Sequence, residues 1–291
     1  MPNRPGVRPG RCRALVFDSQ QAMSSHPANA ARDYSTISPS ALSLLLMKSG
    51  SSIAFAKQAA TLLWNDSVPE ELAHAMTAEN ARRRLRHFEN RYRSLDRLLL
   101  QAGCTNVLEI GSGLSFRGLE LARTSPTYYV DTDLPELTAL KAELVAQLHP
   151  GPLTGTLRIQ ALDALDGEAF QSTVASIPDG PLSIANEGLL VYLDQGEKAR
   201  LAANVRAALK GRGGRWLTAD VYLKNPGGSA PTVGYGRSRA FIDAHRVEQN
   251  KFSDWDAAER FFSDAGFQIV EKLAHQHPLH VRQSWALALR A

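Results

Sequence analysis

The chain has 291 residues, of which 44% are hydrophobic and 21% charged, with a formal net charge of +4. Those proportions are ordinary for a globular protein, and the length suits one large domain or one domain with an appended lobe. The positive excess sits in the first 22 residues, where Arg4, Arg8, Arg11 and Arg13 outnumber Asp18. The remainder is close to neutral, so no basic surface for nucleic acid is implied.

Residues 1–33 are rich in Arg, Pro and Gly and carry no long apolar segment. They read as a flexible tail rather than a secretory signal, and Met23 is an alternative point at which translation begins. The two cysteines, Cys12 and Cys104, are too few for a disulfide scaffold and suit a reducing compartment, hence a cytoplasmic protein. No apolar run reaches membrane-spanning length, so no membrane partner is expected.

Residues 34–104 read as a helical lobe. Ser38 followed by Pro39 marks a helix start, and the helix stops near Gly50. Further helices are expected over Ile53–Trp64 and Pro69–Met76. A long one follows over Asn80–Gln101, where Leu85, Phe88, Tyr92, Leu95, Leu98 and Leu99 recur at helical spacing. Its many arginines, Arg91 among them, read at first as a solvated face.

Residues 105–291 then alternate strand and helix. Strands are expected at Asn106–Ile110, Thr127–Asp131, Leu157–Leu162, Leu182–Asn186, Arg215–Val221, Phe267–Leu273 and Ser284–Leu289. Helices are expected near Arg117–Arg123, Pro135–Leu148, Gln195–Lys210 and Trp255–Ala265. The last two strands have only the stretch AHQHPLHVRQ between them and should pair antiparallel. The expected fold is α/β: a Rossmann-like, mostly parallel seven-strand sheet with one antiparallel strand, as in class I methyltransferases, preceded by the helical lobe. The whole of 34–291 reads as a single domain.

Ligands of such sheets bind just beyond the carboxyl ends of the strands. Beyond the first strand lies Gly111-Ser112-Gly113-Leu114-Ser115-Phe116. Its glycines let a ligand approach the backbone, but a dinucleotide fingerprint asks for Gly or Ala where Phe116 stands. S-adenosylmethionine has no phosphate and does not need that cradle, and Glu109 completes an E-x-G-x-G turn. After the second strand, Asp131 and Asp133 are both within reach of a ribose, and spacing does not choose between them. Asp163-Ala164 follows the third strand, where the carboxylate is placed either for an adenine amino group or as a helix cap. Glu187 follows the fourth, beside the methionine half of such a cofactor.

Taken together, NRYRSLD (Asn90–Asp96), LEIGSGLSFRG (Leu108–Gly118), YVDTDLPEL (Tyr129–Leu137) with Lys141, and ANEGLLVYL (Ala185–Leu193) resemble the leucine carboxyl methyltransferase family. That family includes protein-phosphatase carboxyl methyltransferases and bacterial O-methyltransferases related to polyketide-tailoring enzymes. The resemblance runs over about residues 33–222. It implies S-adenosyl-L-methionine as cofactor, with Arg91 on the cofactor carboxylate and Gly111, Ser112 and Gly113 at the cofactor turn. It further implies Asp133 rather than Asp131 on the ribose, Asp163 and Ala164 on the adenine side, and Glu187 after the fourth strand. Many members have Asp-Thr-Arg after the glycine turn; this chain has Leu114-Ser115-Phe116-Arg117 and keeps only the arginine.

Methyl transfer from a sulfonium is an in-line displacement, so positioning and desolvation dominate. A carboxylate acceptor is already ionised at neutral pH and needs no general base. The expected activity is O-methylation of a small or medium organic acid, with a phenol as the alternative acceptor. Tyr192 is the candidate for orienting the acceptor, set against a plain core tyrosine. The Gly- and Pro-rich stretch after the fifth strand reads as a substrate loop, in which Arg237, Arg239 and Arg246 are candidates for binding an anionic small-molecule substrate. His275, His277 and His280 have no carboxylate or cysteine partner nearby in sequence and read as an exposed turn, with no metal expected. An NAD-dependent oxidoreductase and a non-catalytic nucleoside- or RNA-binding module are the competing readings. Phe116 and the near-neutral body count against them.

Overall fold

The structure, a computed structural model, describes residues 38–65, 79–224, 243–277 and 280–290, all within one compact unit. The expected tail, the helix expected over Pro69–Met76, and Arg237 and Arg239 lie outside the described residues. The sheet has seven strands in the order β3-β2-β1-β4-β5-β7-β6. They are β1 (Asn106–Ile110), β2 (Tyr128–Asp133), β3 (Thr156–Ala161), β4 (Leu182–Asn186), β5 (Gly214–Tyr222), β6 (Phe267–His277) and β7 (His280–Leu289). Every residue of β1 and β4 is buried, as suits parallel strands covered on both faces. β7 alone runs antiparallel to its neighbours β5 and β6. The Rossmann-like, mostly parallel seven-strand sheet expected from the sequence is therefore present, with the reversed strand one place in from the edge.

The helices are α1 (Ser38–Lys48), α2 (Ala56–Trp64), α3 (Glu79–Ala102), α4 (Arg117–Thr124), α5 (Pro135–Leu148), α6 (Gly167–Ala175), α7 (Gln195–Arg212) and α8 (Trp255–Asp264). α7 starts in a capping box in which Asp194 and Glu197 satisfy each other's backbone N–H, and it carries Lys210 and Arg212 at its negative end. α6 is absent from the sequence expectation. Its segment, GEAFQSTVA, is short and rich in residues of modest helix propensity, and its main support is the Asp166 carboxylate, which accepts from the backbone N–H of Glu168 and Ala169.

Three further differences bear on the site. β2 runs two residues beyond the expected end, so Asp131 is a strand residue and Asp133 closes the strand. The strands reach further into the stretch holding the histidines than expected: β6 extends to His277 and β7 starts at His280, which pair with each other. The close-packing glycine after the β1 turn is Gly118, not position 116. A Cβ there would lie 2.7 Å from the Tyr129 ring, so a side chain would push α4 off the sheet. Phe116 is buried instead in the core between α1, α2 and α5.

Candidate active site

The loops after β1 and β4 meet at the carboxyl edge of the sheet. Gly111, at φ 61°, turns the chain so tightly that a Cβ would lie 3.1 Å from Leu189. The loop after β4 is held from below by Asp220 of β5, whose carboxylate accepts from the backbone N–H of Gly188 (2.6 Å) and Leu189 (2.8 Å) and from the Asn186 amide (2.7 Å). This cradle fixes where Glu187 points.

Glu187 is buried and accepts from three cations: Lys48 of α1 at 2.9 Å, Arg91 of α3 at 3.1 Å and Arg117 of α4 at 2.7 Å. Arg117 in turn donates to Asp96 at 2.7 Å and to Glu109, and its guanidinium lies 4.0 Å over the Tyr92 ring. The Tyr129 hydroxyl donates to the other Glu109 oxygen at 2.6 Å. Arg91 also donates to the Tyr222 hydroxyl at 3.4 Å, and that hydroxyl lies 3.0 Å from His87 Nε2. Arg91 therefore leaves the solvated arginine face assigned to it by periodicity, whereas Arg82, Arg83 and Arg86 on the same helix are exposed. Gly188, at φ 82°, faces Arg91 so closely that a Cβ would lie 3.1 Å from Nη2.

Burial alone raises the Glu187 carboxyl, but Lys48, Arg91 and Arg117 outweigh it and hold it below the ordinary value of 4.5. Burial lowers the Lys48 ammonium, Arg91 and Arg117 add to that, and Glu187 opposes it. Because Glu187 titrates lower in the folded state, its contribution to stability is complete above about pH 4.5. It is lost as the pH falls further, at up to about 1.4 kcal/mol per pH unit. Urea titrations from ~pH 5 down to ~pH 3 should show a shallower acid slope for Glu187→Gln than for the wild type; equal slopes would contradict the ion network.

The two aspartates of β2 separate cleanly. Asp131 is buried and bound by Lys141 at 2.6 Å, and the same ammonium donates to Ser112 Oγ at 2.9 Å. That carboxylate is committed beneath the glycine turn. Asp133 is only partly buried and accepts from the backbone N–H of Gly113 (2.6 Å) and Leu134 (2.7 Å). Burial raises its carboxyl and those two N–H groups oppose the rise. Beyond β3, Asp163 is exposed and accepts from the Leu165 N–H at 2.9 Å, while the Ala164 carbonyl accepts from Asn204 at 3.0 Å.

Tyr192 is half-buried, with its hydroxyl 3.4 Å from Ser40 Oγ on α1 and its ring edge-on to His245. Arg246 is exposed and borders a cleft with Lys198 and Lys224. Among the described residues no group of three or more His, Cys, Asp or Glu is placed to hold a metal ion, and no helix is long and apolar enough to cross a membrane.

Sequence reasoning missed Lys48, Asp96 and Asp220, and left Arg117 as an unassigned remnant of a motif. Asp220 had a signal, an acid inside the apolar strand WLTADVY, which has to be partnered once buried. Lys48 had none, because it meets Glu187 across 139 residues of sequence.

A protein of Mycobacterium avium (strain 104) named "Putative S-adenosyl-L-methionine-dependent methyltransferase" is 30% identical over 128 residues, which are 44% of this chain and 40% of that protein. One of the same description from Rhodococcus jostii (strain RHA1) is 26% identical over 196 residues, 65% of this chain and 61% of that one. The chain thus spans less than two thirds of the length of these relatives. Solved structures are distant likenesses. Magnesium protoporphyrin IX methyltransferase from Synechocystis PCC 6803 with bound S-adenosylmethionine is 10% identical, with a TM-score of 0.48 over 90% of this chain and all of that one. The S-adenosylmethionine-dependent methyltransferase SibL in its apo form is 17% identical, with a TM-score of 0.45 over 89% of this chain and 70% of that one. The profile of the leucine carboxyl methyltransferase family matches residues 28–206, more than half of the chain, and the chain belongs to that family.

Proposed function

We propose that the protein is an S-adenosyl-L-methionine-dependent O-methyltransferase that forms a methyl ester on a small or medium organic acid. The observation that carries this reading is the meeting of Lys48, Arg91 and Glu187 beside the Gly111–Gly113 turn. The amino-acid end of the cofactor is a zwitterion, and it needs a cation for its carboxylate and an anion for its ammonium in one place. Arg91 and Lys48 supply the first and Glu187 the second. Gly111 brings backbone without a side chain to the edge of the turn. Asp133, at the open end of β2, is the acid for the ribose hydroxyls, since Asp131 is occupied by Lys141. Asp163 and Ala164, one strand further out, are the residues the family resemblance assigns to the adenine side. The names of the curated relatives point the same way.

When bound, the cofactor supplies a methyl group on a sulfonium; an acceptor oxygen bonds to that carbon while the C–S bond breaks and its electron pair stays on sulfur. A carboxylate acceptor loses no proton in that exchange, so the residues need only orient it and exclude water. Tyr192, in the loop after β4 and tied to α1 through Ser40, is the residue we assign to orienting the acceptor.

Incubation with methyl-labelled cofactor and a panel of acids and phenols, followed by base, tests the reading. A methyl ester releases volatile labelled methanol. A label that stays in a base-stable product would show an ether or amine and overturn the carboxylate assignment.

A further inference from the structure

β7 places Arg282 between two partners at once, registered opposite Tyr222 of β5 and His275 of β6. Residues directly opposite one another share a face of the sheet, and here that face is crossed by α3. The Arg282 side chain is 1% exposed. Its Nη1 donates to the Ala219 carbonyl at 3.1 Å and to Ser284 Oγ at 2.8 Å. Its Nε and Nη2 are buried and have no hydrogen-bond partner among the described residues, and neither has Nε2 of the neighbouring His275.

A buried guanidinium with three of its five donors unmet is expensive, and native structures rarely leave one so. The charges around it do not supply the remedy. Arg91 has the same sign and, after burial, disfavours the Arg282 charge. The Asp220 carboxylate is committed to Asn186 and the loop after β4, and Glu187 is held by Lys48, Arg91 and Arg117. The unmet pair is also the informative one. Nε and Nη2 form the side-on edge of a guanidinium, the fork that takes both oxygens of a carboxylate.

The fork lies at the ligand end of the sheet. Tyr222 is the last residue of β5, its hydroxyl receives Arg91, and the Arg282 guanidinium is 6.0 Å from its ring centre. A hydrogen-bond relay joins the two arginines. Arg282 can only donate, so Ser284, accepting from it, donates onward to Ser94 (2.7 Å), which donates to the Arg91 carbonyl (2.7 Å).

We infer that the Nε–Nη2 edge of Arg282 is a carboxylate-binding site that holds the methyl acceptor, beside the Arg91 site for the cofactor. The inference rests on the methyltransferase reading. Two guanidiniums separated by Tyr222 then serve two carboxylates, the methionine one and the acceptor one.

Nitrogen-15 NMR of arginine side chains in the full chain tests this. Sodium acetate is the probe, sodium chloride at matched ionic strength the control, and saturating S-adenosylhomocysteine is present throughout. One Nε–H resonance, assigned by its loss in Arg282→Gln, should shift saturably with acetate at millimolar concentration and stay still with chloride. If that variant does not fold, Ser284→Ala, which removes the Nη1 partner, assigns the resonance by displacing it. No acetate-dependent shift would overturn the inference. So would a resonance that moves with S-adenosylhomocysteine alone and then ignores acetate, because the cofactor's own carboxylate would fill the fork. A shift with acetate in a protein that binds no S-adenosylhomocysteine would overturn both the acceptor assignment and the methyltransferase reading.

Discussion

Arg117→Met should lower the unfolding free energy by about 3–5 kcal/mol, the cost of removing one partner from a buried ion network. Arg117 touches three carboxylates, those of Asp96, Glu109 and Glu187. Glu109 is fully buried, and without the guanidinium it keeps only the Tyr129 hydroxyl among the side chains bonded to it. Glu187 retains Lys48 and Arg91, and Asp96 is about one-third exposed and is partly served by water, so most of the loss is assigned to Glu109. Methionine keeps much of the apolar stem over Tyr92, which separates charge loss from cavity formation. Chemical denaturation measures the effect, and a loss under about 1 kcal/mol would show that the network is not what holds the turn after β1 against α3.

Arg91→Met should act on the other observable. Its stability cost is smaller, because Glu187 keeps Lys48 and Arg117. Its effect on the cofactor is larger. Loss of a charge-assisted bond to a carboxylate is worth about 1.5–3 kcal/mol, or roughly 10- to 100-fold in the dissociation constant for S-adenosylmethionine. Calorimetric titration of Arg91→Met and Arg117→Met side by side tests the division. If both variants lost affinity equally while Arg91→Met unfolded as easily as Arg117→Met, Arg91 would be one more strut of the network rather than a cofactor ligand.

What was legible in the sequence was what local pattern controls. The bounds of β1, β4 and α5 follow from short apolar runs and from Pro135 at a helix start, and the structure keeps them. The glycine turn was equally plain, because Gly111 and Gly113 adopt positive φ of 61° and 53°. Arg91 and Glu187, carried over from the family resemblance, meet in one ion pair. The rest depended on partners far apart in the chain. Arg117 reads as a helix-start arginine until α3 brings Asp96 and β4 brings Glu187, across 70 residues of sequence. Asp131 and Asp133 are equivalent by spacing, and only the reach of Lys141 from α5 separates them. Arg282 and His275 sat in a stretch read as a turn, because two histidines and Pro278 obscured the period-2 pattern that continues through both strands.

The proposed function turns on the loops after the parallel neighbours β1 and β4 holding the zwitterionic end of S-adenosylmethionine. Isothermal titration of the wild-type protein with S-adenosylmethionine, and separately with NAD, tests it most directly. Saturable one-to-one binding of S-adenosylmethionine, weakened in Arg91→Met and absent for NAD, is the predicted result. Tight binding of NAD with none of S-adenosylmethionine would contradict it.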